Sequence, residues 1–168
     1  MLRETDMDCN RWIELGSFEL TPMKWITREK VKVDRVACPW LIKKFIDPQA
    51  EFIFVPVNQV EAKGRELGAT PYDIEGCELG HHGEDVSFNS ILKKYSLTEP
   101  ALTLLGEIVR AADSHPSNPH AAGEGLRWVA HGFSALGLSD QEILAKEFIV
   151  YDAIYAECKR RAASASNA

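Results

Sequence analysis

Val33-Asp-Arg-Val-Ala-Cys-Pro-Trp-Leu-Ile-Lys-Lys-Phe45, followed shortly by Glu51-Phe-Ile-Phe-Val-Pro56, is the stretch that decides the fold. Cys38, Leu41, Ile42 and Phe45 recur at i, i+3, i+4 and i+7, the spacing of one apolar helix face. Proline has no N–H and is tolerated near a first turn, so the helix is expected to start within Asp34–Cys38 rather than run through Pro39. Asp47-Pro48 ends it, and Glu51–Pro56 reads as a buried strand. A short β-prone segment, Lys24-Trp-Ile-Thr-Arg28, comes before it. Strand, helix and strand within about thirty residues make a β-α-β unit, hence a small, at least partly parallel sheet.

Beyond this unit, residues 58–67 read as a short polar helix ended by Gly68. Asp73–Gly83 is glycine-punctuated and irregular, with room for one strand. From Ser87 the pattern is helical. Ser87 is placed to cap Phe88–Tyr95, and Thr98 to cap a helix with Pro100 in its first turn and Leu102, Leu105, Val109 and Ala112 on one side. The loop Ser114–His120 carries two prolines. A further helix from Ala121 is expected to turn Leu126, Val129, Ala130, Phe133 and Leu136 inward. Ser139-Asp-Gln-Glu142 is a capping box that opens a long last helix with Leu144, Phe148, Tyr151 and Tyr155 stacked. The expected fold class is α+β, a small N-terminal partly parallel sheet with a C-terminal cluster of about four helices. Residues 1–22 read as an extension, 23–161 as one domain and 162–168 as a flexible tail of small residues.

Composition narrows the function classes. The chain is 45% hydrophobic and 26% charged and has no apolar run near the ~18 residues of a membrane span. No signal-peptide layout opens it, so a cytoplasmic location is expected. A net charge of −6 argues against direct nucleic-acid binding. Lys24–Lys44 nevertheless carries a local net charge of +5, which could guide a small anion or simply form a solvated face. Four separated cysteines form no C-x-x-C pair, and no dinucleotide or phosphate-loop fingerprint occurs.

Chemistry is most concentrated in Glu78-Leu-Gly-His81-His82-Gly-Glu-Asp85. Imidazole beside carboxylates is a ligand set for Zn, Fe, Mn or Ni, although the same residues also compose an ordinary hydrophilic loop. Asp113 stands at the C-terminal end of its helix, where the macrodipole disfavours an acid, so it serves either a ligand or a salt bridge to Arg110. His115 and His120 adjoin it. Asp34 and Arg35 read either as a cap with an ion pair, or as a catalytic pair in which Arg35 holds an oxyanion or orients a metal-bound carboxylate. Cys38 shares the apolar face, which favours an inward thiol over a nucleophile. Asp152 lies among large apolar residues and needs a partner if buried.

Trp25-Ile-Thr-Arg28, Val33–Pro48 with its Asp-Arg-Val-Ala-Cys-Pro-Trp-Leu-Ile block, Ala50-Glu-Phe52, Glu78-Leu-Gly-His81, Ser87-Phe88, Ile108–Asp113 and Tyr151-Asp-Ala-Ile-Tyr155 together resemble the chromate-resistance domain family. That domain is known as the C-terminal part of a chromate-responsive regulator and as a stand-alone protein. The resemblance runs from about Met23 to Lys159. Its polar positions fall on Asp34, Arg35, Glu51, Glu78, His81, Asp113 and Asp152. Where the family often has G-E-R-C-S-F, this chain reads Gly83-Glu-Asp-Val-Ser-Phe88, which removes an arginine and a thiol; His120 replaces an acid or amide. With 22 residues ahead of the shared domain, a stand-alone repressor is not expected.

The resulting expectation is a cytosolic metal-binding domain associated with chromate or oxidative stress. Glu78, His81, Asp113 and His120 are its candidate metal ligands, a divalent transition metal its cofactor, and Asp34 and Arg35 its candidate catalytic residues. A small anion such as chromate is the candidate partner. The alternative is a non-catalytic chromate sensor or protein-interaction module using the same residues.

Overall fold

A computed structural model describes residues 22–166, so the expected extension at residues 1–22 lies almost wholly outside the described residues. The β-α-β unit forms as expected: β1 (Lys24–Arg28), α1 (Val33–Phe45) and β2 (Glu51–Val55), with β1 and β2 parallel and Lys24 opposite Glu51. A 3₁₀ turn, Val57–Gln59, leads into α2 (Val60–Leu67), which ends on Gly68 in the left-handed conformation. β3 (Thr70–Pro71) then pairs parallel to the other side of β1, giving the order β2-β1-β3. The third strand thus precedes the irregular Asp73–Gly83 segment instead of lying within it.

Four helices follow: α3 (Ser87–Lys94), α4 (Pro100–Asp113), α5 (Ala122–Ala135) and α6 (Asp140–Ser166). The fold is therefore α+β, a small parallel sheet with a C-terminal helical cluster. Among the described residues no helix is long and apolar enough to cross a membrane.

α1 lies at the centre, with Val36, Ala37, Cys38, Trp40, Leu41 and Ile42 all buried and Phe45 half-buried. It presents far more than one stripe because α3, α4, α5 and α6 pack around it and its buried side chains share one core with Trp25, Phe52 and Tyr72. Each fully buried large side chain contributes about 1.5–3 kcal/mol. Trp40 packs its ring against Phe45, Tyr151 and Tyr155, with centroids 5.5 to 6.2 Å apart. α1 does run through Pro39, contrary to expectation. The proline leaves the Arg35 carbonyl without its intrahelical donor, a cost outweighed by burial of the helix on so many sides.

Other local expectations change for similar reasons. Ser87 is the first residue of α3 rather than its cap, and Glu99, not Thr98, occupies the cap position of α4 without a side-chain cap bond. Glu99 instead accepts the Tyr155 hydroxyl, tying α6 to the start of α4. On α5 only Gly123, Leu126 and Ala130 are buried; Val129 and Leu136 face outward at 37% and 65% exposure. α5 approaches α4 closely at Gly123, where a Cβ would lie 2.5 Å from the Ala111 methyl. The capping box at Ser139 forms, with Glu142 accepting from the Ser139 amide at 2.9 Å. α6 continues through Ala162 to Ser166, past the expected start of the tail, since alanine is the strongest helix former.

Candidate functional site

The three strands run parallel, so their C-terminal ends gather at one edge, the usual ligand edge of such sheets. Arg28 ends β1, Val57 lies just past β2, and Asp73 lies two residues past β3. These residues, with Ile74, Glu75, Gly76 and His81, line a cavity of about 340 Å³. Asp34 is in the first turn of α1, directly after β1.

Asp34 is 1% exposed, and its carboxylate leaves its own helix to cap another. Its oxygens accept from the amides of Ser87 at 2.7 Å and Phe88 at 3.0 Å, the first two residues of α3. This explains why α3 needs no side-chain cap of its own: a buried acid 53 residues away supplies it. Asp113 does the same for α1, accepting the Asp34 amide at 3.3 Å. An acid disfavoured at the C-terminal end of α4 thus sits at the favourable N-terminal end of α1.

Asp73 stands in the left-handed region at φ 49, which Asp tolerates better than most residues. The chain then folds back, with the Asp73 amide donating to the Leu79 carbonyl at 3.1 Å. Gly80 is required by that turn, because a Cβ there would lie 2.6 Å from the Ile74 carbonyl oxygen. The turn delivers His81 to the acids. Its Nε2 lies 3.1 Å from Asp73 Oδ1, 3.4 Å from Asp34 Oδ2 and 3.5 Å from Asp113 Oδ2. One donor atom of each of Asp34, His81 and Asp113 falls within 4.8 Å of the others.

The electrostatics follow from this crowding. Hydrogen bonding to Asp34 and Asp73 pushes the His81 imidazole up to about 10. Burial, then the charges of Asp34 and Asp73, push Asp113 up to about 7. Burial works to raise Asp73 as well, but the His81 hydrogen bond and the charges of Arg35 and Arg28 hold it below its ordinary value. Cys38 is fully buried with Sγ 3.5 Å from Asp34 Oδ1, and burial and the nearby acids push its thiol well up. It is placed as a core thiol, not as a nucleophile.

Arg35 donates from Nη1 to Asp73 Oδ2 at 2.7 Å and from Nη2 to the Lys30 carbonyl at 3.0 Å. Its fork is committed to a carboxylate and does not open toward the cavity. Arg28 is the half-exposed cation on the cavity wall, 3.6 Å from Asp73. The structure thus brings together Asp34, Arg35, His81 and Asp113, and adds Asp73, which the sequence reading missed. It does not bring in Glu78, which is 70% exposed and paired with Lys94 at 2.5 Å. Nor does it bring in His120, whose Nδ1 accepts the Ala122 amide at 3.1 Å. Glu51 is exposed at the start of β2. Asp152 accepts the Trp40 indole N–H and pairs with Lys44.

The donor set suits a divalent ion. A single imidazole N–H can serve only one of three carboxylates within 3.5 Å. With Arg35 held by Asp73, the cation that faces Asp34 and Asp113 among the described residues is His81, beside helix amides and the Cys38 thiol. Carboxylates with one imidazole and no thiolate match Mn, Fe or Zn chemistry. A carboxylate has about four lone-pair positions, so Asp34 can accept two amides and still act as a ligand.

The model of the ChrB C-terminal domain matches residues 25–158. The chain belongs to this family. It is also 32% identical over 133 residues to Protein ChrB of Cupriavidus metallidurans, covering 79% of this chain and 40% of that relative's length. No solved structure matches. The matched span includes Asp34, Arg35, Asp73, His81 and Asp113, so the whole acidic cluster lies inside the family domain.

Proposed function

We propose that this ChrB-family domain binds a divalent transition metal through Asp34, His81 and Asp113, with Asp73 beside them, and acts in resistance to chromate. The observation that carries the proposal is the position of His81 Nε2, within 3.5 Å of three carboxylate oxygens on three separate segments. The His81 side chain is 42% exposed and forms the open side of the cluster, facing the cavity that Arg28 also lines. A bound ion would supply Lewis acidity there. The chain's own residues would do the rest: Arg35 fixes Asp73, Asp34 and Asp113 stay fixed by helix amides, and Arg28 meets an anion arriving in the cavity.

A sensor reading has its own support. The acids that would hold the metal also cap α3 and α1, so occupancy is coupled to the packing of α1, α3 and α4. A thermal-shift series with Mn²⁺, Co²⁺, Ni²⁺, Zn²⁺, sulfate and chromate tests both readings. The metal reading expects a divalent ion to raise Tm with the logarithm of its excess, by about 2.7 kcal/mol of stability at 100 Kd. An oxyanion should add a further rise only after the metal. A Tm unmoved by every divalent ion would sink the metal reading, and a response to oxyanion alone would favour the sensor.

A further inference from the structure

We infer that Asp140, the first residue of α6, is a positioning residue for the acidic cluster and acts through Arg35; the inference rests on the metal-site reading above. Its carboxylate accepts the Lys30 amide at 3.0 Å and the Val31 amide at 2.8 Å, across more than a hundred residues of chain. Lys30 is a non-glycine residue in the left-handed region at φ 64, a turn that needs holding. That turn aims the Lys30 carbonyl at Arg35 Nη2, 3.0 Å away. Arg35 Nη1 in turn fixes Asp73 Oδ2 at 2.7 Å, and Asp73 Oδ1 lies 3.1 Å from His81 Nε2. Arg35 Nε is buried without a partner among the described residues, so the guanidinium is held at two points, one of which depends on the Lys30 turn.

Asp140 is not needed as the cap of its own helix. The Ser139 hydroxyl accepts the Glu142 amide at 3.3 Å, and Glu142 accepts the Ser139 amide at 2.9 Å. The Asp140 carboxylate therefore serves the β1–α1 loop, which carries Asp34 and Arg35 into the site.

The test compares the full chain with Asp140→Ala and Asp140→Asn in two arms. In metal-free protein, Asp140→Ala should move or broaden the Arg35 guanidinium N–H signals in ¹⁵N NMR, and Asp140→Asn, which keeps one of the two acceptor oxygens that hold the Lys30 and Val31 amides, should restore them only in part. With Co²⁺ as the probe, Asp140→Ala should weaken binding about tenfold or more and alter the visible absorption of the bound ion, as loss of an outer partner does. Asp140→Asn should fall between Asp140→Ala and the parent. Unchanged Arg35 signals, or a lower Tm with unchanged Co²⁺ affinity and spectrum, would overturn the inference and leave Asp140 a structural latch. If the parent chain takes up no Co²⁺, the metal reading fails and the Arg35 arm alone decides the positioning role.

Discussion

Asp34→Ala is expected to lower the unfolding free energy by about 3–5 kcal/mol and to abolish metal uptake in whatever fraction still folds. Asp34 is buried and accepts two backbone amides at the start of α3, at 2.7 and 3.0 Å. Each hydrogen bond to a buried charge contributes about 1.5–3 kcal/mol, and the truncated site leaves the Ser87 and Phe88 amides without their acceptor. Relief of repulsion between Asp34 and Asp113 offsets part of the loss. Ser87→Ala is the control. Its hydroxyl makes one long bond to Asp73, 3.4 Å, so it should cost no more than about 1 kcal/mol. Urea unfolding of both variants checks this. A loss below about 1 kcal/mol for Asp34→Ala would show that α3 is not held by Asp34.

Glu147→Gln should stabilise the protein by about 3 kcal/mol at pH 8 and change it little at pH 4. Glu147 is 0% exposed on α6, and neither carboxyl oxygen has a partner among the described residues. Burial alone pushes its carboxyl up from 4.5 to about 7. The folded value lies above the unfolded one, so the native state holds the proton more tightly. Below about pH 4.5 both states are protonated and no pH-dependent penalty exists. As pH rises from there through 7, the unfolded chain releases its proton first and the native state loses stability. Glutamine copies the shape of the protonated acid and removes the titration. His81 contributes with the opposite requirement. Raised from 6.5 to about 10, it stabilises fully below 6.5, and that contribution is lost as pH rises through 10. It is common to parent and variant and cancels from their difference. Equal effects of Glu147→Gln at pH 4 and pH 8 in urea titrations would contradict a buried, unpaired acid.

The parts of the fold visible in the sequence are those dictated locally. The strand and helix segments of the β-α-β unit, Gly68 and the Ser139 capping box follow from patterns spanning a few residues, and each forms. Pro39 lies inside α1, against the local rule, because burial on several sides outweighs one missing hydrogen bond. Period alone turns Val129 and Leu136 inward, whereas in the fold only Gly123, Leu126 and Ala130 of α5 are buried. In the site, Asp34, His81 and Asp113 were recognisable as chemically unusual, but their meeting depends on long-range packing that no spacing encodes. Glu78 and His120 had suitable chemistry, yet each finds a partner nearby. Asp73 left little trace, since β3 is only two residues long and gives no periodicity to mark the strand end it follows.

The most direct test of the central claim is metal analysis of the chain purified anaerobically without a histidine tag, beside His81→Ala. The account predicts close to one equivalent of a divalent transition metal per parent chain and less than ~0.2 in His81→Ala, since ligand loss should empty a site of this kind. A parent content below ~0.2, or the same content in both proteins, would contradict it.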